Sequence, residues 1–234
     1  MKNFIFLSGL PRTGSTLLSS ILNQNPEIYS EGSSGVCQLM WDMKNSIKTE
    51  KVQESLKATN RKYLEKKLIK DMVLSYYDGV KQNNIIDKGR SWTLDDNVQM
   101  ILDYITNKPK IIVMVRPLEE VIDSYKKLRK SNGWDEDKLE EGLFNTNSEI
   151  LLRCREGVIQ SLNNNPKYFH YISYKDLVED TEKVLSNLYE FLELPPFKHN
   201  LNNIVNYYPE IDDTNDLQGF KNLHDVRPTI GYRK

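Results

Sequence analysis

The chain has 234 residues and a formal net charge of -1. That length can bury one sizeable core, and the charge gives no global field to draw the protein to nucleic acid or an anionic membrane. Basic residues must therefore act locally, which suits a small anionic ligand better than a polyanion. The cysteines, Cys37 and Cys154, and the histidines, His170, His199 and His224, stand at no metal-ligand spacing, so reduced, buried thiols and no metal site are expected. The apolar run after Met1-Lys2-Asn3 is far shorter than a leader or membrane helix. A soluble, cytoplasmic-type protein forming one domain over residues 1–234 is the expectation.

The run Phe4-Ile5-Phe6-Leu7 reads as a strand and drops straight into Ser8-Gly9-Leu10-Pro11-Arg12-Thr13-Gly14-Ser15-Thr16. Leu17, Leu18, Ile21 and Leu22 follow at helical spacing. A strand, a glycine turn and a helix start form the arrangement that holds phosphate-like anions on backbone N–H groups and the helix dipole. Gly9, Gly14 and Ser15-Thr16 nearly satisfy the P-loop spacing, but Ser15 stands where that pattern requires lysine, and the cation has moved into the loop as Arg12. A nucleoside-triphosphatase is thereby disfavoured. The hydroxyls of Thr13, Ser15 and Thr16 are candidate donors to anion oxygens.

Asn25-Pro26 stops the first helix, and Ile28 to Gly35 reads as a polar loop. From Val36 to about Lys81 the apolar spacing predicts two or three helices. Ile85 to Gly89 is a short strand ending in a charged turn, and Thr93 to Ile105 a helix with Thr93 or Asp95 as its cap. The β-branched run Lys110 to Arg116 is the clearest buried strand. Pro117 suits the first turn of the next helix, which runs to about Lys130. A helix over about Asn147–Leu162, a strand over Tyr168–Ile172 and a helix over Thr181–Leu194 complete the series. Strands alternating with helices specify an α/β, P-loop-like three-layer fold, with a mainly parallel sheet and helices on both faces. Ligands of such sheets bind beyond the carboxyl ends of the strands, and Arg12, Lys88, Arg116 and Tyr174 all fall there.

With these pieces placed, the chain resembles the sulfotransferases that use 3'-phosphoadenosine 5'-phosphosulfate, closest in style to the tyrosylprotein and related members. The resemblance runs from Phe4 to about Leu194. It implies that Pro11, Arg12, Thr13, Gly14, Ser15 and Thr16 hold the 5'-phosphosulfate. Val115-Arg116-Pro117 with Ser124 is similar to the family's 3'-phosphate motif, and Tyr174 before Lys175-Asp176-Leu177 matches a tyrosine on the same side of the donor. Asp87-Lys88 resembles the strand-end lysine near the transferring group. Gly219 to Arg227 looks like a tail that closes over the donor, carrying Lys221 and Arg227. Where many small-molecule members have a histidine two residues after that lysine, this chain has Arg90. The resemblance therefore implies Glu31 as the base, with His224 and Asp87 as competitors. No metal is implied.

The implied reaction moves a sulfuryl group to a hydroxyl or phenol by in-line displacement, with Arg12 and Lys88 neutralising developing charge. A P-loop kinase and a non-catalytic nucleotide-binding protein are the alternatives. Trp41, Trp92 and Trp134 are candidates for an acceptor cleft or for simple core. A sugar, a peptide tyrosine and a small alcohol or phenol stay equally open as acceptor.

Overall fold

The computed structural model describes residues 2–139, 149–210 and 220–231. Among these, five strands form one parallel sheet: β1 (Asn3–Gly9), β2 (Ile28–Ser33), β3 (Asn84–Lys88), β4 (Ile111–Val115) and β5 (Phe169–Ser173), in the order β2-β3-β1-β4-β5. The chain leaves β1 toward one edge, returns through β3, and then crosses to β4 on the other side. The direction of winding thus reverses between β1 and β4, and a crevice opens at their carboxyl ends.

β1 shows why helices cover both faces. Successive strand side chains point to opposite sides. Phe4 and Phe6 accordingly join one apolar cluster, with Val36, Met40, Ile69, Val73, Trp92 and Ile101. Ile5 and Leu7 join a second, with Leu18, Ile21, Leu22, Leu185 and Leu188. The first cluster is covered by α2 (Val36–Ile47), α4 (Leu64–Tyr76) and α5 (Asp95–Tyr104), with α3 (Glu50–Ala58) alongside. The second is covered by α1 (Ser15–Leu22) and α9 (Thr181–Leu192). A third cluster fastens Leu10, just past β1, to α6 (Leu118–Ser131), α7 (Glu149–Leu162) and Phe220 and Leu223 near the C-terminus. This is the expected three-layer α/β fold. No helix of the described residues is long and apolar enough to cross a membrane.

The structure corrects several local readings. Ile28 to Ser33 is an edge strand rather than a loop. Its polar residues are satisfied across space: Asn23 bonds both backbone groups of Ser30, and the Ser30 hydroxyl donates to Ser19 at 2.9 Å. Such partners lie outside the strand's own sequence, so its alternation looked like a loop. Neither Thr93 nor Asp95 caps α5; Leu94 does so with its backbone, while the buried Thr93 hydroxyl lies 3.4 Å from that of Ser8. Pro117 precedes α6 as its cap instead of lying in its first turn. The α9 helix stops at Leu192 because Glu193 turns left-handed at φ 59°. A further short helix, α8 (Tyr174–Glu179), begins where Ser173 accepts the Asp176 N–H at 3.0 Å. The expected start of α7, residues 147 and 148, lies outside the described residues. Cys154 is buried, Cys37 half-buried, and both are free thiols.

Candidate active site

The turn after β1 is shaped by three left-handed or extended-positive residues. Gly9 has φ 136°, and a Cβ there would lie 2.2 Å from the Met114 carbonyl oxygen. Only glycine lets β1 end this close to β4. Gly14, the residue before α1, has φ 87°. Between them Arg12 also takes φ 61°, a conformation that costs a non-glycine residue about 1–2 kcal/mol. Strain of this kind collects where surroundings force a residue toward a site. The Thr13 hydroxyl donates to the Leu10 carbonyl at 2.6 Å, and the side chain is fully buried. Thr13 therefore fastens the turn, whereas Ser15 and Thr16 face the cavity at the start of α1.

That cavity, about 740 Å³, occupies the crevice between β1 and β4. Arg12, Lys88, Arg90, Arg116 and Arg227 line it, together with Pro11, Gly14, Ser124 and Tyr174. On the β4 side, Arg12 donates through Nε to Ser124 Oγ at 3.2 Å, and Arg116 donates to the Arg12 carbonyl at 3.0 Å. The Arg116 guanidinium lies 4.2 Å from the centre of the Tyr174 ring. Arg116 also bonds Glu120 at 3.0 Å, and Arg12 reaches the Leu223 carbonyl. Residues from four chain segments thus form one cationic cluster. Of the donor-binding residues the sequence singled out, Thr13 and Lys221 are not in the lining: Thr13 is buried in the turn, and Lys221 is exposed, its carbonyl accepting from Asn132. Gly219 lies outside the described residues.

On the β3 side stands Lys88, the last residue of its strand and almost wholly buried. Its ammonium donates to Thr16 Oγ1 at 3.3 Å and pairs with Glu210, which in turn lies 3.3 Å from His224 Nε2. Burial alone pushes the Glu210 carboxyl up; Lys88 and His224 outweigh it and hold the group below the usual carboxylate range. Glu210 was missed in the sequence because it sits in an irregular segment with no motif. The only legible trace was Gly32: a Cβ there would lie 2.3 Å from Glu210 Cγ, so that glycine makes the carboxylate's seat.

Glu31 does not line the large cavity. It accepts the Tyr29 hydroxyl at 2.6 Å and lines an adjoining cavity of about 410 Å³, with Ser33 common to the two. Asp87 is fully buried and accepts from Ser34, Tyr77 and Trp92. It therefore holds the core beneath Lys88, and no acceptor can reach it. Burial drives its pKa up, against the opposing effect of those hydrogen bonds. The tryptophans line neither cavity: Trp92 serves Asp87, Trp41 donates to Asn97 at 2.7 Å, and Trp134 packs under Arg129.

A parallel α/β sheet with a glycine turn at its reversal point and cations on both flanks is a geometry suited to an anionic, phosphate-like group. The family model described as the sulfotransferase family matches residues 4–199, and the chain belongs to that family. No curated protein sequence matches it. Among solved structures it is similar to the sulfotransferase domain of the Synechococcus PCC 7002 olefin synthase, at 22% identity and a TM-score of 0.59, covering 93% of this chain and 83% of that one. It is similar also to the sulfotransferase domain from the curacin biosynthetic pathway, at 21% identity and 0.57, covering 90% and 79%. A sulfotransferase from Alicyclobacillus acidocaldarius matches at 15% identity and 0.58, covering 94% and 91%. At these identities the likeness concerns the fold.

Proposed function

We propose that the chain transfers a sulfuryl group from 3'-phosphoadenosine 5'-phosphosulfate to a hydroxyl or phenol. The observation that carries this reading is the separation of charge in the large cavity. Arg116 and Ser124 with Tyr174 stand on the β4 side, Lys88 stands on the β3 side, and Arg12 lies between them on the turn after β1. A donor with a 3'-phosphate and a 5'-phosphosulfate has two anionic ends to match them. Ser15 in place of the P-loop lysine argues against a triphosphate held with magnesium.

In this reading Arg116 and Ser124 hold the 3'-phosphate, while Arg12, the backbone of Pro11 to Thr16 and the Ser15 and Thr16 hydroxyls hold the phosphosulfate. The acceptor oxygen attacks sulfur from the adjoining cavity. The bond from sulfur to the 5'-phosphate oxygen breaks, and 3'-phosphoadenosine 5'-phosphate leaves. Lys88 and Arg12 stabilise charge that builds on the leaving oxygen, a role in which losing one donor typically costs about 10²–10³ in turnover. Glu31, on the acceptor side of Ser33, takes the proton from the attacking hydroxyl.

Calorimetry tests the donor directly. 3'-phosphoadenosine 5'-phosphate is expected to bind with a defined stoichiometry, and ATP with magnesium to bind far more weakly. Labelled-sulfate transfer to a panel of phenols, sugars and peptides then tests catalysis. Tight ATP–magnesium binding with hydrolysis would return the chain to the kinase or ATPase class.

A further inference from the structure

The adjoining cavity has a composition of its own. Tyr76 and Tyr208 wall it, Gly32 and Ser33 form part of its lining, and Glu31 and Glu210 supply two carboxylates. No lysine or arginine lines it among the described residues. The walls are held in place. Tyr76 Oη accepts the Gly35 N–H at 3.1 Å, and Tyr208 packs edge-on to Tyr29 at 4.9 Å between ring centres. Tyr29 in turn holds Glu31 at 2.6 Å. Aromatic faces attract cations through the ring quadrupole, and neighbouring carboxylates strengthen that preference.

Glu210 adds a second argument, independent of the rings. Its carboxylate is half-buried and compensated by Lys88, with His224 beside it at 3.3 Å. Lys88 also faces the large cavity, where the donor's anion competes for the same ammonium. Once the donor engages Lys88, the Glu210 carboxylate loses the larger part of its charge compensation, keeping only His224, while remaining seated over Gly32. A positive charge arriving in the adjoining cavity restores it. A neutral or anionic acceptor does not.

Resting on the donor reading above, we infer that the acceptor is a cationic hydroxyl compound, an amine-bearing phenol or alcohol, and that it binds cooperatively with the donor through Glu210. Reciprocity requires each ligand to tighten the other by the same factor.

Three probes of similar shape test this: tyramine, 4-ethylphenol and 3-(4-hydroxyphenyl)propionate, titrated by calorimetry into the full chain with and without saturating 3'-phosphoadenosine 5'-phosphate. In its presence tyramine is expected to bind at least about tenfold tighter than either competitor, and about tenfold tighter than in its absence, within the usual range of coupling between sites. Glu210→Gln is expected to tighten 3'-phosphoadenosine 5'-phosphate and to abolish the coupling. Tyr208→Leu is expected to weaken tyramine about equally with and without nucleotide, so that the coupling persists; circular dichroism and retained nucleotide binding report that both variants fold. Nucleotide binding without tyramine preference, or tyramine binding indifferent to nucleotide, overturns this inference alone. Absence of nucleotide binding overturns the donor reading and this inference with it.

Discussion

Gly14→Ala is the perturbation in which loop, packing and donor site meet. Gly14 has φ 87°, and a Cβ there would stand 2.7 Å from Cδ2 and 3.1 Å from Cε2 of Tyr174. Alanine in the left-handed region costs about 1–2 kcal/mol. Forcing a methyl against the ring adds about 1–3 kcal/mol of overpacking. Together the loss is about 2–5 kcal/mol, a drop in Tm of roughly 4–20 °C for a chain of this size. The same push moves Tyr174 off Arg116, now 4.2 Å away, so affinity for 3'-phosphoadenosine 5'-phosphate is expected to fall at least tenfold. A double-mutant cycle isolates the clash. In a Tyr174→Ala background the methyl has no ring to meet, and Gly14→Ala is expected to cost only the backbone strain. The coupling between the sites is then about 1–3 kcal/mol. Urea unfolding of the two single variants and the double variant measures it. Additivity within about 0.5 kcal/mol would refute the reasoning, since it would mean that ring and methyl do not compete for the same space.

Arg116→Ala is expected to weaken 3'-phosphoadenosine 5'-phosphate much more than adenosine 5'-phosphosulfate, which lacks the 3'-phosphate; calorimetry with both ligands decides, and equal losses remove the assignment. Glu31→Gln is expected to lower turnover by about 10²–10⁴ while leaving donor affinity intact. Near-normal turnover in that variant, with loss in His224→Ala, would move the base to the Glu210–His224 pair. Asp87→Ala leaves the Ser34, Tyr77 and Trp92 donors without their buried acceptor, at about 1–3 kcal/mol for each group left unsatisfied. Because burial raises the folded-state pKa of Asp87 above its unfolded value, its contribution to stability is present below the unfolded pKa and lost as pH rises through the folded one. Asp87→Asn is expected to flatten that slope in unfolding measured across pH.

The α/β class and the glycine turn were legible because their signals are local. The periods of two and near four along Phe4–Leu7 and Leu17–Leu22, and the β-branched run into Arg116, reflect burial against neighbours on each face. Arg12, Lys88, Arg116 and Tyr174 could be placed together because the carboxyl ends of parallel strands share one edge of the sheet. Ser124 was named beside Arg116 by the resemblance, and the structure brings it to the same cluster through Arg12 Nε.

Other features were decided by tertiary structure alone. Ile28 to Ser33 became a strand because Asn23, Ser19 and β3 satisfy its polar groups across space. Thr13 turned inward to hold Leu10, though its hydroxyl looked like a ligand donor. Glu31 fell in the adjoining cavity instead of the large one because β2 continues through Ser33. Glu210 reached Lys88 across 122 positions. Local periodicity records which face of an element is buried; it carries no information about which distant polar groups meet once the faces close. The chain's sequence by itself therefore determined the sheet, its helices and the edge at which the cations gather, while packing determined which side chains share that edge and which carboxylates pair with its cations.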